Sequence, residues 1–191
     1  MTLPKEAWDK ILEFEGRWSN DQNDPGGATW FGIARNRNPQ WPGWAIVDEC
    51  MKPGGHFLPN DLEITHLTDL ALNFYEDKWY ALLLDEFVHQ TLAVYVFDTS
   101  VNVGATRAIF MLQKALNALN DGGRLWSDVD PDGIMGSKTL VAEARAAMSP
   151  RRDSVLFALR VLRAGHYLRL CDDAPARWER YALGWLRRAA A

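Results

Sequence analysis

Two carboxylates and a hydroxyl fall close together in one stretch, "FEGRWSNDQNDPGGATWFGIA" (Phe14 to Ala34): Glu15, Asp24 and Thr29, with Asp21 as a competing acid in the same loop. Glu15 shares an i, i+3, i+4, i+7 face with Trp8, Ile11 and Leu12, in an amphipathic segment that starts at Thr2 and Pro4 and stops at Gly16. A carboxylate in the last turn of a helix meets the negative end of the backbone dipole. Partial burial acts in the same direction, so its proton is expected to stay on near neutral pH. Asp24 opens an Asp-Pro-Gly-Gly turn, and Thr29 and Gly32 complete Thr-x-x-Gly. A loop this short can fold back over the helix end and set Asp24 and Thr29 across a groove from Glu15. One protonated and one ionised carboxylate are the equipment for glycoside hydrolysis: the first protonates the leaving oxygen, the second activates water or supports an oxocarbenium-like transition state. The residues alone also permit a plainer reading, in which Glu15 is a solvated helix-end residue and Asp-Pro-Gly-Gly merely a turn.

The elements that must position these groups are mostly helical. After the first helix, residues 19–57 carry the turn signals "NDPGG", "NPQWPGW" and "KPGGH", with one short helix expected near Trp44–Met51. From Asn60 the spacing becomes helical: two helices within "THLTDLALNFYEDKWYALLLDEF" and "QTLAVYVFDTSVNVG", then "TRAIFMLQKALNALN", Lys138–Met148, Arg152–Leu170 and a last short one at Trp178–Arg188. Strand-like alternation is rare. The expected class is mainly α, with at most a small β-hairpin near residues 20–34.

Composition narrows the function classes. The chain has 191 residues, 48% hydrophobic, and a formal net charge of −4, which disfavours a duplex nucleic-acid partner. Residues 1–150 hold 12 Lys and Arg against 21 Asp and Glu, whereas residues 151–191 hold 9 Arg against 4 acids. That basic end reads as the solvated face of a packed helix, or as a contact for anionic wall polymers or an outer-membrane surface. Cys50 and Cys171 have no metal or disulfide spacing, and His56, His66, His89 and His166 form no zinc motif. The run Asp128, Asp130, Asp132, Gly133 starts like a calcium loop but has Thr139 where a bidentate Glu is required, so no metal and no cofactor is expected. The N-terminus lacks the features of a signal peptide, and 18 uninterrupted apolar residues occur nowhere. A product of the cytoplasm without stable membrane insertion is expected. Among 9 tryptophans, Trp30, Trp41 and Trp44 lie in or near the first loop, where a ring face could stack on a sugar or simply pack in the core. Trp8 and Trp79 read as core residues.

The pattern "E-G-x-W-x-N-D … D-P-G-G-x-T-x-x-G-I" resembles the signature of family 108 of the glycoside hydrolases, lysozyme-like N-acetylmuramidases of phage endolysins and bacterial secretion systems. "FGIARNRNPQWPGW" continues the resemblance, and "FDTSVNVG" resembles the family's Asn-Gly turn. "LQKALN … DGIMGSKT" and "GWLRR" resemble the associated peptidoglycan-binding region. The chain departs from the pattern at Arg17, where the family has a second glycine, and carries Trp18 as its aromatic; Arg17 is expected to point outward. The resemblance implies a lysozyme-like two-lobed helical fold, with a catalytic lobe over 1–103 and a peptidoglycan-binding-like lobe over 104–191 packed as one compact unit. It implies Glu15 as proton donor, Asp24 as second carboxylate and Thr29 as the holder of water or sugar, with Asp21, Trp30, Trp44 and Asn102 contributing to substrate binding. The implied substrate is the glycan strand of peptidoglycan, cleaved by a monomer at the β-1,4 bond between N-acetylmuramic acid and N-acetylglucosamine. A phage endolysin made in the host cytoplasm and released to the wall fits this pattern, and a host-encoded wall-remodelling enzyme fits it almost as well.

Overall fold

The computed structural model describes residues 3–14, 18–20, 27–52 and 65–191. Eight α-helices and one small antiparallel sheet make up the described residues, and the fold is mainly α, as the periodicity predicts. The chain divides into two compact units, Met1–Ala81 and Leu82–Ala191.

In the first unit, α1 (Lys5–Phe14) leads to the strands β1 (Trp18–Ser19), β2 (Thr29–Trp30) and β3 (Ile33–Ala34), followed by α2 (Gly43–Cys50) and α3 (Thr65–Ala81). The buried face of α1 comprises Ala7 and Ile11 one turn apart, with Trp8 half-buried. Leu12, expected on that face, is 43% exposed; the stripe is narrower than the sequence spacing suggests.

Where the sequence predicts one hairpin, the structure has three strands in the order β1-β2-β3. The register pairs Trp18 with Trp30 and Ser19 with Thr29, then Thr29 with Ala34 and Trp30 with Ile33. Only Phe31 and Gly32 therefore turn the second hairpin, with φ of 44° and 77°. Two positive φ values are what a two-residue turn of type I′ requires. Glycine adopts this freely, but phenylalanine does so at a cost and must be held. Its carbonyl accepts a 2.5 Å hydrogen bond from the Tyr75 hydroxyl of α3. Its ring packs edge-on against Trp8 and Trp30, at centroid distances of 5.8 and 5.4 Å.

The second unit begins with a short 3₁₀ turn (Leu84–Glu86), then α4 (Gln90–Val103), α5 (Ala105–Ala118), α6 (Ser137–Ala147), α7 (Arg152–Asp173) and α8 (Pro175–Ala190). The last helix is longer than expected, since Pro175 stands at its first turn, where proline's fixed φ suits a helix start. Every residue of α4 from Leu92 to Ser100 is buried. It packs against α5 and α7, and α7 packs along α8. By its contacts α4 therefore belongs to the second compact unit.

Candidate active site and a buried helical network

Glu15, Asp21 and Asp24, with Arg17, lie outside the described residues, while the elements that flank them are defined. Glu15 follows the last residue of α1, and Asp21 and Asp24 lie in the connection between β1 and β2. That connection is closed at its base by the pairing of Ser19 with Thr29. Thr29 is half-buried, and its hydroxyl donates to the Gly27 carbonyl at 3.1 Å, with Gly27 at a φ of 68°.

The tryptophans expected to stack on sugar are covered. Trp30 is 0% exposed and packs on Phe31 and Trp18, so it has no free ring face and is a core residue. Trp44 is also buried: its indole N–H donates to the Asn38 carbonyl at 2.8 Å, its ring meets Trp41 edge-on at 5.0 Å, and the Arg35 guanidinium lies 4.6 Å from its centroid. Arg35 is itself tied to Asp48 at 2.5 Å. Trp41 is buried too, and a side chain at Gly43 would run into its ring. These rings brace the chain after β3 and leave no platform.

Asn102, near the end of α4, is half-buried, and its Oδ1 accepts the Tyr167 hydroxyl at 2.5 Å. Through Tyr167 it joins a network that sequence reasoning missed. Asp98 on α4 accepts from Arg163 Nη1 of α7 at 2.6 Å and from Arg188 Nε and Nη2 of α8 at 3.0 and 2.7 Å. Arg163 Nε donates to the Tyr167 hydroxyl at 2.8 Å. Burial is the largest single influence and works against the Arg163 charge, but Asp98, Tyr167 and Tyr95 together outweigh it and hold the guanidinium pKa above its ordinary value. The missed signal was Asp98 inside the otherwise apolar "VYVFDTS". The basic end is therefore not simply a solvated face: Arg163 and Arg188 are buried, whereas Arg169, Arg177, Arg180 and Arg187 are exposed.

The two peptidoglycan-like motifs are partners of one another. Gln113 of "LQKALN" donates to Asp132 Oδ1 at 2.9 Å and to the Ile134 carbonyl at 3.1 Å, and accepts the Gly133 N–H at 2.8 Å. Gly133 has a φ of 75°, and a Cβ there would meet Thr106 at 2.6 Å, so only glycine brings the loop this close to α5. Asp128 accepts from Asn120 at 2.6 Å. Asp128 and Asp132 thus serve the loop's own hydrogen bonds.

A family model described as glycosyl hydrolase 108 matches residues 8–104, and one described as a predicted peptidoglycan domain matches residues 107–190. The solved structure of Brucella abortus SagA is similar, at 23% sequence identity and a TM-score of 0.56, over 97% of this chain and 92% of that one. At that identity the likeness is one of fold. No curated protein matches the chain. The first match spans Glu15, Asp24 and Thr29, and the second spans the Gln113 hub, Arg163 and Arg188. The chain belongs to the glycosyl hydrolase 108 family, a peptidoglycan-degrading glycoside hydrolase with a peptidoglycan-binding domain following its catalytic segment.

Proposed function

We propose that the protein is an N-acetylmuramidase that hydrolyses the β-1,4 bond between N-acetylmuramic acid and N-acetylglucosamine. Glu15 is the general acid, Asp24 the second carboxylate, and Thr29 the hydroxyl beside them, with Asp21 at the edge of the same loop. The observation that carries this reading is the family match over residues 8–104, together with the register that pairs Ser19 with Thr29 at the base of the acidic connection.

In this reading Glu15 protonates the glycosidic oxygen as the bond lengthens, and Asp24 stabilises the developing positive charge or activates water on the opposite face. A carboxyl separation of about 6.5–9.5 Å would give inversion, and one near 5 Å retention. We extend the proposal to a monomeric phage endolysin, made in the bacterial cytoplasm and acting on the wall after release. Among the described residues no helix is long and apolar enough to cross a membrane.

Digestion of purified peptidoglycan, with fragments identified by mass spectrometry, tests the reaction. Reducing muramic acid ends are expected. Ends in 1,6-anhydro sugar would make it a lytic transglycosylase, and intact strands would make it a wall-binding or scaffold protein.

A further inference from the structure

One face of the peptidoglycan-binding domain gathers three exposed cations, Arg107, Lys114 and Arg169. Between α5 and α7 lies a groove of about 440 Å³ lined by Arg107, Phe110, Lys114, His166, Arg169 and Asp173, among others. The residues come from two facing stripes: positions 107, 110 and 114 recur on one side of α5, and 162, 166, 169 and 173 on one side of α7. Arg107, Lys114 and Arg169 are exposed, and none forms an ion pair among the described residues. Arg107 instead donates to His166 Nε2 at 3.1 Å, which requires that nitrogen to be unprotonated. His166 is buried in the groove wall, and its pKa is lowered by desolvation and then by the charges of Arg107 and Arg169. Three cations therefore hold a positive potential over an apolar floor that includes Phe110, Met111 and Leu162, with one carboxylate, Asp173, also lining the groove.

We infer that this groove binds the peptide stem of peptidoglycan, a short peptide with several free carboxylates and one free amine. The carboxylates fit Arg107, Lys114 and Arg169, the amine fits Asp173, and the small apolar side chains lie over Phe110. The volume is within the range that holds a small ligand. This deepens the proposed action on peptidoglycan and rests on that reading: the groove would hold the peptide while the other unit acts on the glycan.

The test uses the full chain titrated with an alanyl-glutamyl-diaminopimelate tripeptide, binding being followed by calorimetry and by the His166 ring resonances. Wild type should bind, the His166 signals should move, and affinity should fall about tenfold or more in Arg169→Ala and in Lys114→Ala, as expected for losing a charge-assisted contact. Arg180→Ala on α8 should bind as wild type. Circular dichroism confirms that each variant is folded. Undiminished binding in both groove variants, or no tripeptide binding by wild type, overturns the inference. So does an equal response to inorganic phosphate, which would mark a general anion site. Wall hydrolysis by the same wild-type sample separates the two readings: hydrolysis without tripeptide binding removes the groove alone, and tripeptide binding without hydrolysis removes the muramidase alone.

Discussion

Removing the carboxylate of Asp98 should destabilise the second unit more than any surface change can. Asp98 accepts three guanidinium hydrogen bonds, from Arg163 at 2.6 Å and from Arg188 at 3.0 and 2.7 Å. Arg163 is 0% exposed and Arg188 is 6% exposed, so neither can exchange its lost partner for bulk water without opening the packing of α4, α7 and α8. Breaking a buried ion pair by deleting one partner costs about 3–5 kcal/mol, chiefly because a charge is left uncompensated. A protein of this size shifts by about 2–4 °C per kcal/mol. Asp98→Ala should therefore lower the unfolding midpoint by about 6–20 °C by these conversions, read by circular dichroism at neutral pH. Asp98→Asn, which keeps the shape and loses the charge, should fall between wild type and Asp98→Ala. Arg187→Ala, exposed and adjacent to Arg188, is the control and should change stability by less than about 0.5 kcal/mol. A midpoint loss below about 3 °C for Asp98→Ala would mean that the two arginines reach other partners, and the network would not be what joins the three helices.

Two further outcomes follow from particular residues. Gly32→Ala should destabilise the first unit by about 1–2 kcal/mol, because its φ of 77° lies in the region that costs a Cβ-bearing residue that much; denaturant unfolding would check this, and an unchanged midpoint would contradict the turn assignment. His166 has a depressed pKa in the folded protein, through burial and then the Arg107 and Arg169 charges. Its contribution is thus present above the ordinary histidine value of about 6.5 and lost as pH falls through the folded value. Wild type should lose more stability than His166→Gln on going from about pH 8 to 5, and parallel curves would refute the shift.

The sequence was most legible where the physics is local. Helical periodicity placed α4 to α7 within a few residues, because apolar spacing reports burial directly, and it ran α3 on to Phe87 where the helix stops at Ala81. The type I′ turn was not legible: Gly32 was read only as the end of Thr-x-x-Gly, and Phe31 at positive φ is held through its carbonyl by Tyr75, 44 residues away. Burial and partner choice are not legible from residue type alone. Trp30 and Trp44 looked available to sugar because the loop sequence is polar, whereas their burial depends on Phe31, Trp18, Arg35 and Trp41 closing around them. The basic end read as one class of arginine, yet Asp98 draws two of them inward from 65 and 90 positions away. Conversely, "LQKALN" and "DGIMGSKT" resembled separate motifs of one region, and the Gln113 bonds to Asp132, Gly133 and Ile134 give the physical reason they occur together.

The central claim is that Glu15 donates the proton that breaks the glycan. Its most direct test is wall clearing by purified wild type and by Glu15→Gln, with circular dichroism confirming that both are folded. Removing a general acid lowers a rate by about 10²–10⁴. A loss of that size is expected in the variant, with reducing muramic acid ends released by wild type. Equal clearing by the two proteins would contradict it and leave the proton donor to be sought elsewhere in the chain.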